Sequence, residues 1–385
     1  MNAAPQPQPP SRNVVVIQRR MVHYRLPFFA ALRSQLAEQG CTLRLAYGEP
    51  TESERRKNDS GDIAWAERLP TRYLWGERIC WQPFGHLLKD ADLVVVTAEN
   101  KLIYNLAAQY LQRRCRVALW GHGANLQGDP TSLRERFKRV VACRADWWFA
   151  YAELSRPLIE ACGYPRERIS VVNNSVDTGE LAAQLAGVSP AQAAELRARL
   201  QLENRRVGLF IGSLYKEKRI DFMLEAASRI HARVPDFAFL MVGAGPQAED
   251  ARRFCAANPW AHYLGELKGQ KKAEVLALAD VMINPGAVGL GILDSFVSGV
   301  PLVTSDCGTH GPEICYLANG ENGLMTTTDL DDYVAAVCRL LEDPAMLQRL
   351  RAASRASAQQ YSVANMARHF SDGVLRCLAA PRYRG

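Results

Sequence analysis

The sequence lacks a hydrophobic run long enough to cross a membrane. Apolar runs such as Val14–Ile17 and Leu93–Val96 have the length of a β-strand, whereas a membrane-spanning helix needs about 20 apolar residues. The opening segment MNAAPQPQPPSR holds neither the apolar stretch nor the cleavage site of a signal peptide. We therefore exclude an integral membrane protein and interpret residues 1–12 as a disordered leader.

The sequence also lacks a compact set of cysteines and a strong charge of either sign. Its 10 cysteines are scattered along 385 residues without a C-x-x-C pair, so neither a metal nor a disulfide framework is indicated and a reducing cytoplasm is expected. The net charge of +7 suits a phosphorylated ligand or an anionic membrane surface. It is too small to indicate nucleic acid, for which no recognition motif is present.

Several enzyme motifs are absent. There is no His-Glu-x-x-His, no Walker Gly-Lys-Ser/Thr and no Gly-x-Ser-x-Gly pattern, which excludes several hydrolase classes. Two Asp-x-Asp triplets, at 90–92 and 329–331, would suit a metal-dependent transferase. They precede a predicted strand and a predicted helix, where turn and cap roles explain them. We therefore predict no metal and no cofactor.

What the sequence does contain is an alternation of short β-branched runs and longer helical stretches, typical of parallel α/β sheets covered by helices. One series of predicted strands lies near residues 14–17, 42–47, 93–97, 117–120, 147–150 and 169–172. A second series lies near 207–211, 237–242, 262–264, 281–284, 302–304 and 323–325. Two doubly wound, Rossmann-like α/β domains are therefore predicted.

A segment beginning VNNSVD separates the two series and predicts a domain boundary near Val176. The first domain is expected over residues 13–176 and the second over 177–361. Residues 362–385 contain apolar side chains close to the helical period. They predict a C-terminal helix that returns to the first domain.

Glycine-containing turns directly follow strands of the second domain. The segment GSLYKEKR places Gly212, Ser213, Lys218 and Arg219 between a strand and a helix. Backbone amides and cations at such a place can bind an anion, and a solvated basic turn is the alternative. The segment MVGAGP carries Gly243 and Gly245, whose missing Cβ atoms permit either close approach of a ligand or close packing of the backbone.

The longest of these turns is NPGAVGLGILDSF, which joins a strand to a helix. It contains Gly286, Gly289 and Leu290 in the loop and Asp294 on the helix. The loop amides can face a ligand at the helix N-terminus, and the Asp294 carboxylate can accept hydrogen bonds from ribose hydroxyls. A local cap or a surface charge is the alternative for Asp294. A dinucleotide fingerprint is disfavoured, because the Gly-x-Gly turn lacks its third glycine and lies in mid-chain.

These motifs, in this order and with GPEICYLANGENGLM after them, resemble the nucleotide-sugar domain of retaining glycosyltransferases of family 4. The resemblance covers residues from about Asn13 to Leu375 and is stronger in the second domain. It implies the GT-B architecture, in which two Rossmann-like domains face each other across a cleft that holds the donor. VNNSVD resembles the hinge of that family, with Asn174 and Asp177 matching and Ser175 in place of glycine.

The resemblance also implies roles for residues that bind the donor. Lys218 would neutralise the donor diphosphate together with the amides around Gly212, and Asp294 would bind the ribose. Gly286 stands where the family has a glutamate that contacts the transferred sugar. Ser213 stands where the family has an arginine, which leaves Arg219 or Lys216 to compensate.

Further donor contacts follow from the same resemblance. Leu267 and Lys268 match the loop whose backbone contacts the base, and Gly289 with Leu290 would lie under the diphosphate. Glu313 matches a loop glutamate for which anchoring of the loop and ligand contact are equal alternatives.

In the first domain the resemblance places His122, of the segment ALWGHGAN, near the sugar and the diphosphate. Its imidazole could stabilise phosphate charge, and a buried structural histidine is the alternative. Candidate acceptor-side residues follow two predicted strands, and they are His23, Tyr24, Arg25, Glu99, Asn100 and Lys101. For the group at 99–101 a plain surface loop is the alternative.

Residues 131–144 predict an amphipathic helix with a basic face. Such a helix either rests on an anionic membrane or covers a sheet. Peripheral contact with the membrane through this segment is therefore an open expectation.

Together these features predict a retaining, metal-independent glycosyltransferase that moves a sugar from a nucleoside diphosphate sugar, UDP favoured over GDP, to a glycan or lipid-linked acceptor. The expected setting is surface polysaccharide or glycolipid synthesis in the cytoplasm, at the inner face of the membrane. A nucleotide-sugar 2-epimerase of the same fold, a sugar-nucleotide-binding protein without catalysis and a basic membrane-surface scaffold are the alternatives. Gly286 and Ser213, where the family has Glu and Arg, favour the non-catalytic binder.

Overall fold

The computed structural model describes residues 11–56, 59–99, 101–111, 114–123 and 140–383. In these ranges the strands are β1 (Arg12–Gln18), β2 (Cys41–Tyr47), β3 (Glu67–Arg68), β4 (Arg72–Leu74), β5 (Ile79–Trp81), β6 (Leu93–Thr97), β7 (Arg116–Gly121), β8 (Trp147–Ala150), β9 (Ile169–Val171), β10 (Arg206–Ile211), β11 (Phe237–Val242), β12 (Ala261–Tyr263), β13 (Val281–Ile283), β14 (Leu302–Ser305) and β15 (Gly323–Thr326). The α-helices are α1 (Leu26–Glu38), α2 (Glu52–Arg55), α3 (Ile103–Leu111), α4 (Ser155–Glu160), α5 (Thr178–Ala186), α6 (Pro190–Arg199), α7 (Ile220–Arg233), α8 (Ala248–Ala257), α9 (Gly269–Leu278), α10 (Ile292–Ser298), α11 (Leu330–Glu342), α12 (Pro344–Gln360) and α13 (Val363–Ala379).

The chain forms two compact units, one of Met1–Val176 with Val363–Gly385 and one of Asp177–Ser362. The first residue of the second unit caps α5: the Asp177 carboxylate accepts hydrogen bonds from the backbone N–H groups of Gly179 and Glu180, at 2.9 and 3.2 Å. An aspartate at this position stabilises the helix because the first amides of a helix have no partner within it.

The N-terminal unit is built on a seven-stranded sheet in the order β3-β2-β1-β6-β7-β8-β9, and all its pairings are parallel. Its central strands contain continuous buried apolar runs, Val14–Ile17 in β1 and Leu93–Val96 in β6, as expected when helices cover both faces of a sheet. The C-terminal helix α13 belongs to this unit, since Phe370 lies 5.6 Å from Phe28 of α1 and stacks at 4.1 Å on Phe149 of β8. The predicted return of this helix is confirmed.

The C-terminal unit is built on a six-stranded parallel sheet in the order β12-β11-β10-β13-β14-β15. The strand order reverses between β10 and β13. In open parallel sheets, loops that leave the carboxyl ends of two such strands diverge and form a place for a ligand. The predicted glycine turns after β10 and β13 lie at this point.

The predicted α/β class with two Rossmann-like sheets is confirmed, and the structure adds elements that the sequence pattern does not indicate. These are the two-residue strand β3 and the antiparallel hairpin β4–β5. Both are short and largely exposed, so they carry no apolar period. No helix in the described ranges is long and apolar enough to cross a membrane.

Candidate functional site

The turns after β10 and β11 contact each other backbone to backbone. Gly243 has a φ of 146°, and a Cβ atom built on it would lie 1.8 Å from the carbonyl oxygen of Gly212. A Cβ on Gly245 would likewise lie 2.3 Å from the carbonyl oxygen of Leu214. Close packing therefore explains both glycines of the Gly-x-Gly turn, and their predicted contact with the donor stays a prediction.

Gly286 occupies a position where no side chain fits. A Cβ atom there would lie 2.3 Å from the carbonyl carbon of Lys218 and 2.4 Å from the carbonyl oxygen of Glu217. The neighbouring Ala287 N–H donates to the same Glu217 oxygen at 2.7 Å. The glutamate that the family resemblance leads one to expect at this position is excluded by the approach of the two loops. Gly286 offers only its backbone to a ligand.

Lys218 lies where these two loops meet. Its Nζ donates a hydrogen bond to the carbonyl oxygen of Ala287, and its Cε would be 3.9 Å from a Cβ on Gly212. Burial lowers the pKa of the ammonium to about 8, because an apolar environment disfavours the charged form. The site thus holds a partly desolvated cation beside the first glycine turn, and its role in diphosphate binding stays a prediction.

His310 follows β14 and was not among the predicted site residues. Its Nδ1 accepts a hydrogen bond from the Val288 N–H at 3.1 Å, and its Nε2 lies 2.8 Å from the carbonyl oxygen of Ser305. These partners assign the tautomer with hydrogen on Nε2. Burial lowers the pKa of this imidazole, so it is neutral at physiological pH and fixes the 286–291 loop without adding charge. A histidine in a strand-following loop was the available signal.

Asp294 on α10 pairs with a lysine that the sequence patterns did not single out. Its carboxylate lies 2.7 Å from Nζ of Lys272 on α9, and both side chains are largely buried. The ion pair orients the carboxylate. Ribose binding by Asp294 stays a prediction. In that prediction Lys272 positions the carboxylate oxygens of Asp294 that would accept hydrogen bonds from the ribose.

The predicted donor residues outside this centre are more exposed or are engaged elsewhere. The Arg219 guanidinium donates to Ser305 Oγ at 2.8 Å and lies 4.0 Å from the Phe222 ring. Lys268 forms an exposed ion pair with Glu266 at 3.0 Å. Ser213 is exposed, whereas Leu267, Gly289 and Leu290 are half-buried. Arg219 could replace the arginine that the family has at position 213 only if its side chain left these contacts.

Glu313 is buried, with 4% of its surface exposed. Its Oε2 lies 3.9 Å from the position of a Cβ on Gly289 and 2.8 Å from that of a Cβ on Gly311. The carboxylate therefore lies under the glycine loop. This placement favours the anchoring alternative for Glu313.

In the N-terminal unit, His122 directly follows β7 and packs edge-on against the ring of Tyr151, 4.3 Å away. The His122 side chain is exposed, unlike the buried histidine of the alternative interpretation. Tyr151 also lies 5.3 Å from the guanidinium of Arg25, which is buried. Tyr24 lies 5.6 Å from the same guanidinium. These residues form an aromatic and basic group at the carboxyl edge of the first sheet.

The loop after β1 supplies a second group, in which charges are paired within the chain. Arg19 binds Glu54 at 2.6 Å and Glu99 at 3.1 Å, and Arg20 binds Asp59 at 2.7 Å. The hydrogen bond from Arg19 lowers the pKa of the Glu54 carboxyl to about 2. These contacts hold the loop in place and neutralise Arg19 and Arg20 within the chain.

The remaining acceptor-side candidates lie around this group. Lys101 contacts Glu99 at 3.6 Å, and His23 contacts the backbone of Asp59 at 3.1 Å. Asn100 lies outside the described residues, as does most of the predicted membrane helix 131–144, of which only 140–144 are described.

The two Asp-x-Asp triplets have the ordinary roles that their positions predict. Asp92 accepts hydrogen bonds from Arg12 and from the Asn13 backbone at 3.0 and 2.8 Å. Asp329 caps α11 by accepting from the Asp331 and Asp332 N–H groups at 2.8 and 3.0 Å. In the described ranges no three His, Cys, Asp or Glu side chains converge as metal ligands would.

Comparison with known proteins agrees with this architecture. Residues 205–343 match the family model described as glycosyl transferases group 1. The chain is 31% identical over 306 residues to the GDP-mannose-dependent alpha-(1-6)-phosphatidylinositol monomannoside mannosyltransferase of Mycolicibacterium smegmatis, covering 75% of this chain and 78% of that protein. It is 27% identical over 268 residues to the D-inositol 3-phosphate glycosyltransferase of Nocardia farcinica, covering 66% of this chain and 56% of that one. The chain spans about half the length of several other curated relatives that it matches.

Solved structures share the fold at low sequence identity. Anabaena Alr3699/HepE, solved in complex with UDP, superimposes with a TM-score of 0.68 at 14% identity, covering 94% of this chain and 99% of that one. WaaG, a glycosyltransferase involved in lipopolysaccharide biosynthesis, superimposes with a TM-score of 0.60 at 14% identity, covering 93% and 98%. The two sheets, the turns that follow their strands and the identity to the mycobacterial enzyme together show that this chain belongs to the glycosyl transferases group 1 family and has the GT-B fold.

Proposed function

We propose that this chain is a retaining, metal-independent glycosyltransferase that moves a sugar from a nucleoside diphosphate sugar to a glycan or lipid-linked acceptor in cell-surface polysaccharide or glycolipid synthesis. The observation that carries this proposal is Lys218, a half-buried ammonium held beside Gly212 by the Ala287 carbonyl. The diphosphate of such a donor gains negative charge as its bond to the sugar breaks. A cation already in place stabilises that charge without reorganisation.

The reaction needs no nucleophile from the protein. The bond between the sugar C1 and the diphosphate oxygen breaks, the acceptor oxygen bonds to C1 on the same face, and the acceptor proton passes to the departing phosphate. Configuration is thereby retained. Gly286, which has no side chain, supports this route, because no carboxylate can attack from that position. Binding both substrates in this geometry supplies much of the rate.

Contacts within each unit support charge stabilisation without a metal. The amides of Gly212, Leu214, Ala287 and Val288 already donate within the chain, so we assign the phosphate contacts to the neighbouring loop amides of Ser213 and Gly289. Both Asp-x-Asp triplets are occupied by turn and cap contacts. His122, exposed beside Tyr151, is the residue that we assign to the sugar and phosphate from the first unit. The proposed enzyme requires no cofactor.

The base of the donor has two candidates. From the sequence we favour UDP, whereas the name of the mycobacterial relative specifies GDP-mannose. Leu267 and Lys268 lie in the loop assigned to the base, and neither side chain is of a type that selects uracil over guanine. A GDP-mannose donor is therefore the second candidate.

The names of two relatives also bear on the acceptor. One acts on a phosphatidylinositol monomannoside and the other is named for D-inositol 3-phosphate. Both acceptors carry a phosphate, and the first is a lipid. A lipid-linked acceptor reached at the cytoplasmic face of the membrane is the setting that we propose.

A thermal-shift screen of the purified chain against UDP, GDP, ADP, TDP and their sugar conjugates tests the donor site. A ligand at 100 times its Kd adds about 2.7 kcal/mol to the free energy of unfolding. We expect one base to stabilise selectively, and we expect Lys218→Ala to abolish the shift. The matched control is Lys271→Ala, which replaces an exposed lysine on α9. No shift with any nucleotide contradicts the proposal.

The non-catalytic binder is the alternative that Gly286 and Ser213 favour. Hydrolysis of the stabilising sugar nucleotide separates the two, because a transferase without acceptor releases free sugar slowly whereas a binder releases none. Appearance of the epimeric sugar nucleotide would instead identify a 2-epimerase.

A further inference from the structure

The N-terminal unit contains a buried cation that no carboxylate of the described residues neutralises. Arg25 is 5% exposed, and its Nη1 is buried without a hydrogen-bond partner. Arg19 and Arg20 of the same loop are paired with Glu54 and Asp59, whereas no ion pair joins Arg25 to an acidic side chain in the described part of the chain. Burying a charge costs free energy unless a partner compensates it. The Arg25 guanidinium therefore lacks a hydrogen-bond acceptor among the described residues, and a bound ligand can supply one.

Aromatic rings surround the Arg25 guanidinium. Its central carbon lies 4.7 Å from the ring centre of Trp120, 5.3 Å from that of Tyr151 and 5.6 Å from that of Tyr24. Cation–π attraction offsets part of the loss of hydration. It uses the faces of the guanidinium and does not supply an acceptor to Nη1 at its edge. The rings thus hold the side chain in place while Nη1 has no acceptor among the described residues.

The position of Arg25 in the sheet points to a ligand site. Trp120 is in β7 and Tyr151 directly follows β8, so the rings mark the carboxyl ends of neighbouring strands. Ligands of open parallel sheets bind at these ends. His122 also contacts this group, because its ring packs on the same Tyr151. A guanidinium and an imidazole therefore share one tyrosine ring.

We propose that Arg25 binds a phosphoryl group of a substrate in the N-terminal unit, through Nη1 and a second N–H of the fork, with His122 as a further contact. A phosphoryl group fits because its oxygens accept two parallel hydrogen bonds from one guanidinium and leave another oxygen for the imidazole. This inference rests on the proposed function, since the group comes from a phosphorylated acceptor or from the diphosphate of the donor. Both sources present the same chemistry.

The first experiment measures binding of sn-glycerol 3-phosphate to the full chain by isothermal titration calorimetry. The parent variant is Lys218→Ala, which removes the phosphate site proposed in the other unit. Arg25→Met is then added, because methionine keeps an apolar stem and loses every donor. The matched control is Arg33→Met, an exposed arginine 4.5 Å from the Trp65 ring in the same unit.

We expect the Kd to rise by at least about tenfold with Arg25→Met and to stay unchanged with Arg33→Met. Equal affinity in the parent and in Arg25→Met overturns the proposal, as does a parent that binds neither glycerol phosphate nor inorganic phosphate. If Arg25→Met fails to fold, Arg25→Lys replaces it. That variant keeps the positive charge and loses the paired N–H donors of the guanidinium. A Kd as low as that of the parent would therefore also contradict the proposed phosphoryl site.

A second titration identifies the source of the phosphoryl group. UDP and GDP are titrated into the chain with wild-type Lys218, with and without Arg25→Met. Unchanged nucleotide affinity assigns Arg25 to the acceptor, and a parallel loss assigns it to the donor. Failure of the proposed function looks different, because the unaltered chain would then bind no nucleotide while Arg25-dependent phosphate binding persisted.

Discussion

Lys218 in the C-terminal unit and Arg25 in the N-terminal unit are both cations withdrawn from water, and they are held differently. Lys218 donates to the Ala287 carbonyl, and burial lowers its pKa to about 8. Arg25 lies among aromatic rings, and its Nη1 has no acceptor. A lysine responds to desolvation by losing its proton more readily, whereas a guanidinium stays charged. One unit thus has a cation that titrates near physiological pH and the other a cation that does not.

The largest expected effect comes from removing the titrating cation. Lys218→Ala should lower glycosyl transfer, or donor hydrolysis without acceptor, by about a hundredfold, because it removes the charge that stabilises the departing diphosphate. Initial rates at saturating donor measure this. Lys271→Ala should retain the parent rate. A folded Lys218→Ala protein that keeps more than about a tenth of the rate contradicts the assignment.

The next effect concerns the backbone contact that holds Lys218 in place. Gly286→Ala should lower the free energy of unfolding by about 2 kcal/mol, because its Cβ would overlap the 217–218 backbone. Urea unfolding measures the change. Gly291→Ala is the matched control, since a Cβ there meets nothing within 4 Å. Gly286→Glu, which restores the family residue, should be no more stable. A stable and active Gly286→Glu protein would refute the steric explanation.

The pH dependence of ligand binding distinguishes the two cations directly. The lysine is charged below its pKa, so nucleotide affinity should be full below about pH 8 and should fall by up to about tenfold for each pH unit above it. Lys218→Arg should remove this dependence, because arginine stays protonated. Glycerol phosphate binding through Arg25, measured in the Lys218→Ala parent, should not change over the same range. Calorimetric titrations at several pH values test this difference between the two ligands. A nucleotide affinity that does not change with pH would contradict it.

The smallest expected effect is the change in the free energy of unfolding when Arg25 is replaced. Arg25→Met should raise the free energy of unfolding of the ligand-free chain by about 1 kcal/mol, because it replaces a buried charge without a partner by an apolar side chain. Arg33→Met should change it little. Urea unfolding of both variants provides the measurement. A clear loss of stability in Arg25→Met would mean that the attraction to Trp120 outweighs the cost of burial, and that the arginine is there for packing.

The strands that carry the two sheets were predictable because most are buried on both faces and therefore form continuous apolar runs. β3, β4 and β5 escaped prediction because short, exposed strands have no such pattern. The glycine turns were also visible, since each directly follows an apolar strand. Lys272 and His310 were missed as site residues. Each contacts a residue 22 positions away in the sequence, Asp294 and Val288 respectively, and the pairs meet only when the chain has folded.

The sequence by itself determined the α/β class, the succession along the chain of the buried strands, the positions of the glycine turns and the residue types available at the ends of those strands. These properties are local, because apolar period and glycine content act over a few neighbouring residues. Only the tertiary structure decided that Gly286 lies against the 217–218 backbone, that Lys218 binds a carbonyl 69 residues away and that Arg25 has no carboxylate partner among the described residues. Contacts of this kind depend on which loops the sheet order brings together, and no local pattern records them.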